Sequence, residues 1–135
     1  MAGVLFDQGE AIILTLAVNK LATTENLILK LFKNNITPGE TNTESSYTVA
    51  DFTGYANITL TGASWVSTPG APSQVTFAQQ TFTSSADQAA QLVYGYYYVQ
   101  ASSGKAIGAE RFSDGPYTIA NNGDVIKVTP KLTLD

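Results

Sequence analysis

Leu92-Val93-Tyr94-Gly95-Tyr96-Tyr97-Tyr98-Val99-Gln100 decides the fold. It holds four of the seven tyrosines and carries neither proline nor charge. Aromatic and β-branched side chains suit a pleated, half-buried surface, so the run reads as a strand. Ala101-Ser102-Ser103-Gly104 follows, then a second strand-like run, Lys105-Ala106-Ile107-Gly108-Ala109-Glu110-Arg111-Phe112. A short loop ending in glycine between two such runs is a β-hairpin signature. With Ser102-Ser103-Gly104 as the loop, Val99 faces Ile107 and Tyr97 faces Ala109, an apolar face that belongs in a core. The other face pairs Tyr98 with Gly108, Tyr96 with Glu110 and Tyr94 with Phe112. That surface is aromatic but not dry, and surfaces of this kind usually meet something else. Tyr94, Tyr96, Tyr98 and Phe112 are therefore expected to pack against a neighbouring subunit, against the N-terminal segment with Phe6 and Leu14, or against both.

Working outward, Gly9–Leu21 has acid at its start, Lys20 near its end, and Ile13, Leu16, Ala17 and Leu21 on one face at helical spacing. It is the one helix the sequence predicts, within an N-terminal arm covering 1–25. Asn26–Lys33 is a strand with apolar residues on both faces, hence central or covered by the helix on one side. Asn34–Ser46 is the most polar stretch, and thirteen residues is long for a connection; loops of that length are often functional or mobile. A β pattern resumes from Tyr47 to Leu60, with a tight corner at Asp51-Phe52-Thr53-Gly54-Tyr55 and strict alternation in Asn57–Thr61 that sends Ile58 and Leu60 inward. Ser64–Ser67 is a short strand, Pro69–Pro72 a loop, and Gln74–Thr83 alternates again. Ser84–Gln91 is a loop or a single helical turn. Asp114-Gly115-Pro116 and Asn121-Asn122-Gly123 are turns flanking Tyr117-Thr118-Ile119. The last strand, Asp124–Leu134, contains Pro130, which removes a donor and places it at an edge or a bulge. Seven to nine short strands with frequent turns predict a mainly β protein. The expected architecture is an antiparallel β-sandwich, jelly-roll-like, forming a single domain over 1–135 with one short N-terminal helix.

Composition narrows the chemistry. The 135 residues are 44% hydrophobic and only 13% charged, with a net charge of −4. Binding to nucleic-acid phosphates needs a basic stripe, so no nucleic acid is expected as a partner. With no cysteine and no histidine, disulfides, thiolate sites, Ser-His-Asp triads and ordinary zinc sites are absent. Met1–Phe6 has no basic n-region and Ala11–Val18 is too short to span a bilayer, so neither signal peptide nor membrane anchor is expected. The carboxylate pairs Asp7/Glu10, Glu40/Glu44 and Asp114/Asp124 sit beside glycine or in polar loops and read as solvated charges and turn formers. Asp114, Asn121 and Asp124 offer oxygen ligands that would suit calcium, but no loop signature joins them, so neither metal nor cofactor is expected. Asn57-Ile58-Thr59 matches a glycosylation acceptor inside a strand and is set aside. Trp65, Tyr97 and Tyr117 read as core; an exposed Trp65 would instead suggest sugar stacking.

Several motifs share a resemblance. They are Asn26–Pro38 (Asn-Leu-Ile-Leu-Lys-Leu-Phe-Lys-Asn-Asn-Ile-Thr-Pro), Val49–Tyr55, Val93-Tyr94-Gly95-Tyr96-Tyr97, Ala109-Glu110-Arg111-Phe112 and Asn122–Pro130. Together, from about Asn26 onward, they resemble small structural proteins of tailed bacteriophages, of the kind found among head genes. The resemblance implies a non-enzymatic virion component on the capsid exterior. A head decoration (cement) protein bound to the major capsid protein comes first, and a tail, adaptor or fibre-associated piece second. A homo-oligomer is expected with it, a trimer by preference. A glycan-binding β-sandwich module is the rival class.

Overall fold

In the computed structural model, which describes residues 3–19 and 25–134, the chain runs β1 (Val4–Leu5), α1 (Asp7–Asn19), β2 (Leu27–Phe32), β3 (Ile58–Leu60), β4 (Val66–Thr68), β5 (Ser73–Thr76), β6 (Gln80–Thr83), β7 (Gln91–Val93), β8 (Gly95–Gln100), β9 (Ala106–Arg111), β10 (Tyr117–Ile119), β11 (Val125–Val128) and β12 (Lys131–Leu134). Every strand pairing is antiparallel. Five strands form the largest sheet in the order β1-β9-β8-β2-β3, accompanied by the ribbons β10-β7 and β11-β6 and the three-stranded sheet β12-β5-β4. The protein is mainly β and sandwich-like, as the alternating short runs and turn signals predict, though the sheets do not close on themselves.

The hairpin forms as its sequence indicates. Gly104 takes φ +72° in the loop, and Tyr97 faces Ala109, Tyr98 faces Gly108 and Tyr96 faces Glu110. One pair differs. Val99 lies opposite Ala106, not Ile107, because a bulge shifts the register between Tyr98 and Val99. The extra residue turns Ile107 into the main core and leaves Ala106 on the other face. The bulge also seats the N-terminal arm. The Ile107 carbonyl accepts from the Phe6 amide at 2.9 Å, and α1 crosses β9 at Gly9, where an ideal Cβ would lie 2.2 Å from that same oxygen.

The long tyrosine run is two strands, not one. β7 pairs with β10 and β8 joins the five-stranded sheet, so the chain changes sheet around Tyr94. Gly95 marks the junction. A Cβ there would sit 2.2 Å from the Glu110 carbonyl and 2.6 Å from the Phe32 ring, so only glycine lets β2, β8 and β9 meet at this point. The final run is divided likewise: Pro130 is buried between β11 and β12, which belong to different sheets. Tyr47–Asn57 is not a continuous strand; apart from a single bridge between Val49 and Phe32 it is loop, with its corner at Gly54 (φ +89°).

Two cores result. The larger lies on the face of Leu27, Leu29, Leu31, Tyr96 and Tyr98 and is closed by Phe82, Val93, Ile119, Ile126 and Val128 from the ribbons. The smaller, on the opposite face of the same sheet, gathers Phe6, Phe32, Tyr47, Tyr97, Val99, Ala106 and Ala109. β2 is accordingly apolar on both faces, as read from its sequence. Gly95→Ala is predicted to cost ~3 kcal/mol by overpacking. Gly104→Ala, with open space around it, is predicted to cost ~1 kcal/mol for its left-handed backbone alone. Urea denaturation of the two variants checks this ranking; equal losses would contradict the close approach at Gly95.

Candidate interaction surfaces

Of the six residues singled out for an interface, the five whose side chains are described do not gather on one surface. Tyr96 and Tyr98 are 7% and 2% exposed and belong to the main core, so the chain itself covers them and no neighbour is needed to do so. Their hydroxyls are satisfied within the chain. Tyr96 Oη donates to Glu110 Oε2 at 2.8 Å, and Tyr98 Oη accepts from the Lys131 amide at 3.1 Å. Phe112 lies on the same side, its ring centroid 5.8 Å from Tyr96 and 4.7 Å from Tyr117. Tyr94 has turned to the opposite face, where the Arg111 guanidinium sits 5.0 Å above its ring. It meets Phe112 through the backbone, the Phe112 amide donating to the Tyr94 carbonyl. Phe6 is fully buried in the smaller core. Leu14 lies in α1, and its side chain is outside the described residues, as are Lys20, Leu21 and the rest of 20–24. The row thus fails as an exposed surface because its two central rings are filled from within.

What covers the other face is the 34–46 loop. Its polar residues fasten it to the sheet. Asn34 bridges Thr48 and Ser46, Arg111 Nη1 donates to the Ile36 carbonyl at 2.9 Å, and the Asp7 amide donates to the Glu40 carbonyl. Glu44 is the main clasp. Its Oε2 accepts from the Ala106 amide and from Gln8 Nε2, both at 3.0 Å, joining the loop to β9 and α1. Beneath it, Tyr47 stacks on Tyr97 with centroids 4.9 Å apart and on Phe6 at 5.9 Å. The sequence reads Glu44 as a solvated charge beside Glu40, because the partners that make it a clasp lie 36 and 62 residues away.

Among the described residues an open apolar cleft remains between α1 and the β12-β5-β4 sheet. It has two adjoining lobes, of ≈ 340 Å³ and ≈ 310 Å³, which share Ile13, Val75 and Leu132; Trp65 and Leu134 extend the walls. This volume is in the range of ligand pockets, whereas the cavity beside Tyr98 and Glu110 is only ≈ 50 Å³. Trp65 is half-buried in the cleft wall, packed edge-on against Phe77 at 5.4 Å and Tyr98 at 6.3 Å.

The remaining candidates for chemistry are engaged in turns. Asp124 Oδ2 accepts from the amides of Ala120 and Asn121, and Asp114 accepts from the Tyr117 hydroxyl. Among the described residues no group of three or more acidic side chains is placed to hold a metal ion, and no helix is long and apolar enough to cross a membrane. No protein-family model, curated protein or solved structure matches the chain.

Titration follows from these contacts. Backbone donors, the Ala106 amide first, hold Glu44 below the usual carboxylate range; Lys33 and Gln91 do the same for Asp51, and the Ala120 and Asn121 amides for Asp124. Burial pushes the phenols of Tyr47, Tyr55 and Tyr97 up to about 12, and it is the largest of the effects that raise Tyr96 and Tyr98. The three carboxylates titrate lower folded than unfolded, so their contribution is complete above the unfolded value of ~4 and is lost as pH falls through the folded ones. The five phenols titrate higher folded than unfolded, so their contribution is complete below ~10 and is lost as pH rises toward the folded values. Urea stability is therefore predicted to be level between ~pH 5 and ~9 and to fall on both sides, with Glu44→Gln flattening the acid limb. An acid limb unaltered in Glu44→Gln would contradict the clasp, and phenolate absorbance that develops fully while the chain stays folded would contradict the buried tyrosines.

Proposed function

We propose that the chain is a non-enzymatic structural protein of a tailed-bacteriophage virion, a head decoration protein that binds the major capsid protein on the capsid exterior and associates with its own copies. The observation that carries this reading is the set of strand and turn motifs from Asn26 to Pro130, which resemble small head proteins and here build the framework of the fold. Physical chemistry supports the same reading. A module that ties shell subunits together must be stiff, and here a long polar loop is latched at several points to a sheet buried on both faces. It must also keep surface free for contact, and the cleft along Ile13, Val75 and Leu132 is apolar and open. Many weak contacts repeated over a symmetric shell add up to firm attachment without any single strong one. Low charge suits a body that meets protein on one side and solvent on the other.

Mass spectrometry of gradient-purified particles tests the proposal. The chain is expected at a copy number comparable with the major capsid protein, and it should leave the particle without loss of the packaged shell. A few copies per particle would move the assignment to the tail or an adaptor. Absence from particles would remove the virion reading altogether.

A further inference from the structure

We infer that β4 is a self-pairing edge: two copies of the chain join antiparallel through Val66-Ser67-Thr68, with a two-fold axis at Ser67, so that their β12-β5-β4 sheets become one continuous sheet. This names a contact for the proposed self-association. It is a two-fold contact, not the three-fold one that a trimer alone would supply.

The argument begins with the edge itself. Among the described strands β4 alone is exposed at every residue, and Val66 is 62% exposed. β5 pairs with β4 on one side, and no described strand lies on the other. Such an edge presents unpaired N–H and C=O groups, and proteins ordinarily guard it with charge, proline or extreme shortness. The other open edges of the two larger sheets have guards or cover. β12 carries Lys131 directly after Pro130, β1 is two residues long, and in β3 Leu60 is fully buried and Ile58 half-buried. β4 is also short, at three residues, and Pro69 directly follows it, but unlike β12 it carries no charge and unlike β3 it has no buried residue.

Its sequence suits a copy of itself. Antiparallel pairing about Ser67 sets Val66 opposite Thr68 of the second copy and Ser67 opposite its own equivalent. The pairs are thus β-branched against β-branched and hydroxyl against hydroxyl, with no charge opposed. A two-fold contact of this kind is closed and requires no complement beyond the strand itself, which favours a second copy over a foreign strand. Ser67 is in register with Val75 and lines the cleft, so the joined sheets would set the two apolar clefts side by side on one face. Three residues per copy bury far less than the ~1,200 Å² of a stable interface. The pairing is therefore weak in an isolated pair and becomes effective where copies are held close, as on a shell.

The chain has no cysteine, so a single introduced thiol gives a clean test. Ser67→Cys, exposed and outside both cores, places two thiols across the axis at a Cβ separation of ~4.5–5.5 Å, close enough for a disulfide after small adjustment. Under mild oxidation at sub-millimolar protein, S67C is expected to form covalent dimer at least ~10-fold faster than T118C, an exposed strand control, and faster than V66C or T68C. Adding V66K and T68K to S67C, which sets Lys against Lys, is expected to slow the reaction ~10-fold. Dimer formation in S67C no faster than in T118C, or fastest in V66C or T68C, would overturn the inference. The result is separable from that of the particle analysis: virion location with no S67C dimer discards the edge pairing alone, and rapid S67C dimer from a chain absent from particles discards the virion reading alone.

Discussion

A strand made of Gly-Tyr-Tyr-Tyr-Val-Gln is buried at all six positions only if both faces of its sheet are covered, and the rest of the structure follows from that requirement. Tyr96 and Tyr98 project to one side, where the ribbons β10-β7 and β11-β6 close the larger core over them. Tyr97 and Val99 project to the other, where no sheet lies over them among the described residues. Their cover is assembled from the N-terminal arm through Phe6 and from the 34–46 loop and Tyr47. A large aromatic side chain contributes about 1.5–3 kcal/mol on burial, so leaving either face open would remove a large share of a domain's net stability. The polar character of the loop is consistent with this role: its side chains bond its own backbone at Gly39 and Ser46, while Ile36 packs against the smaller core.

The features that were legible in the sequence are those fixed by near neighbours. The hairpin loop with Gly104, the Asn121-Asn122-Gly123 turn with Gly123 at φ +89°, the double-faced β2 and the helix beginning near Gly9 all depend on residues within a few positions of one another. The features that were not legible depend on partners far along the chain. The bulge that moves Ile107 into the main core answers to α1, which crosses β9 about a hundred residues from its own start. Tyr94 belongs by alternation with Tyr96 and Tyr98, but the sheet change at Gly95 turns it to the opposite face, and only the closeness of Phe32 and Glu110 explains why. The tyrosine row read as a contact surface because the residues that cover Tyr96 and Tyr98, among them Phe82, Ile119, Ile126 and Val128, come from short ribbons elsewhere in the chain. The open edge at β4 is the reverse case: the strand is visible as Ser64–Ser67, two residues early at its start and one at its end, but nothing local shows that its outer side stays bare.

This distribution bears on what the protein does. Tyr96, Tyr98 and Phe6, which sequence reading offered as contact surface, are consumed by folding, while the described surface includes a cleft and a strand edge that carry almost no charge. Both are features that other protein surfaces, rather than ions or soluble polar substrates, are suited to occupy. A stiff body with small, low-charge contacts gains little in dilute solution and much in a repetitive array, which agrees with the proposed place on a viral shell.

Amide hydrogen exchange tests the two-sided burial of β8 most directly. The account predicts that the amides of Tyr96, Tyr97, Tyr98 and Val99 are among the slowest in the chain and exchange only through global unfolding, with rates that follow denaturant as the whole-molecule stability does. Exchange of these amides through local opening, at rates like those of Val66-Ser67-Thr68, would contradict it.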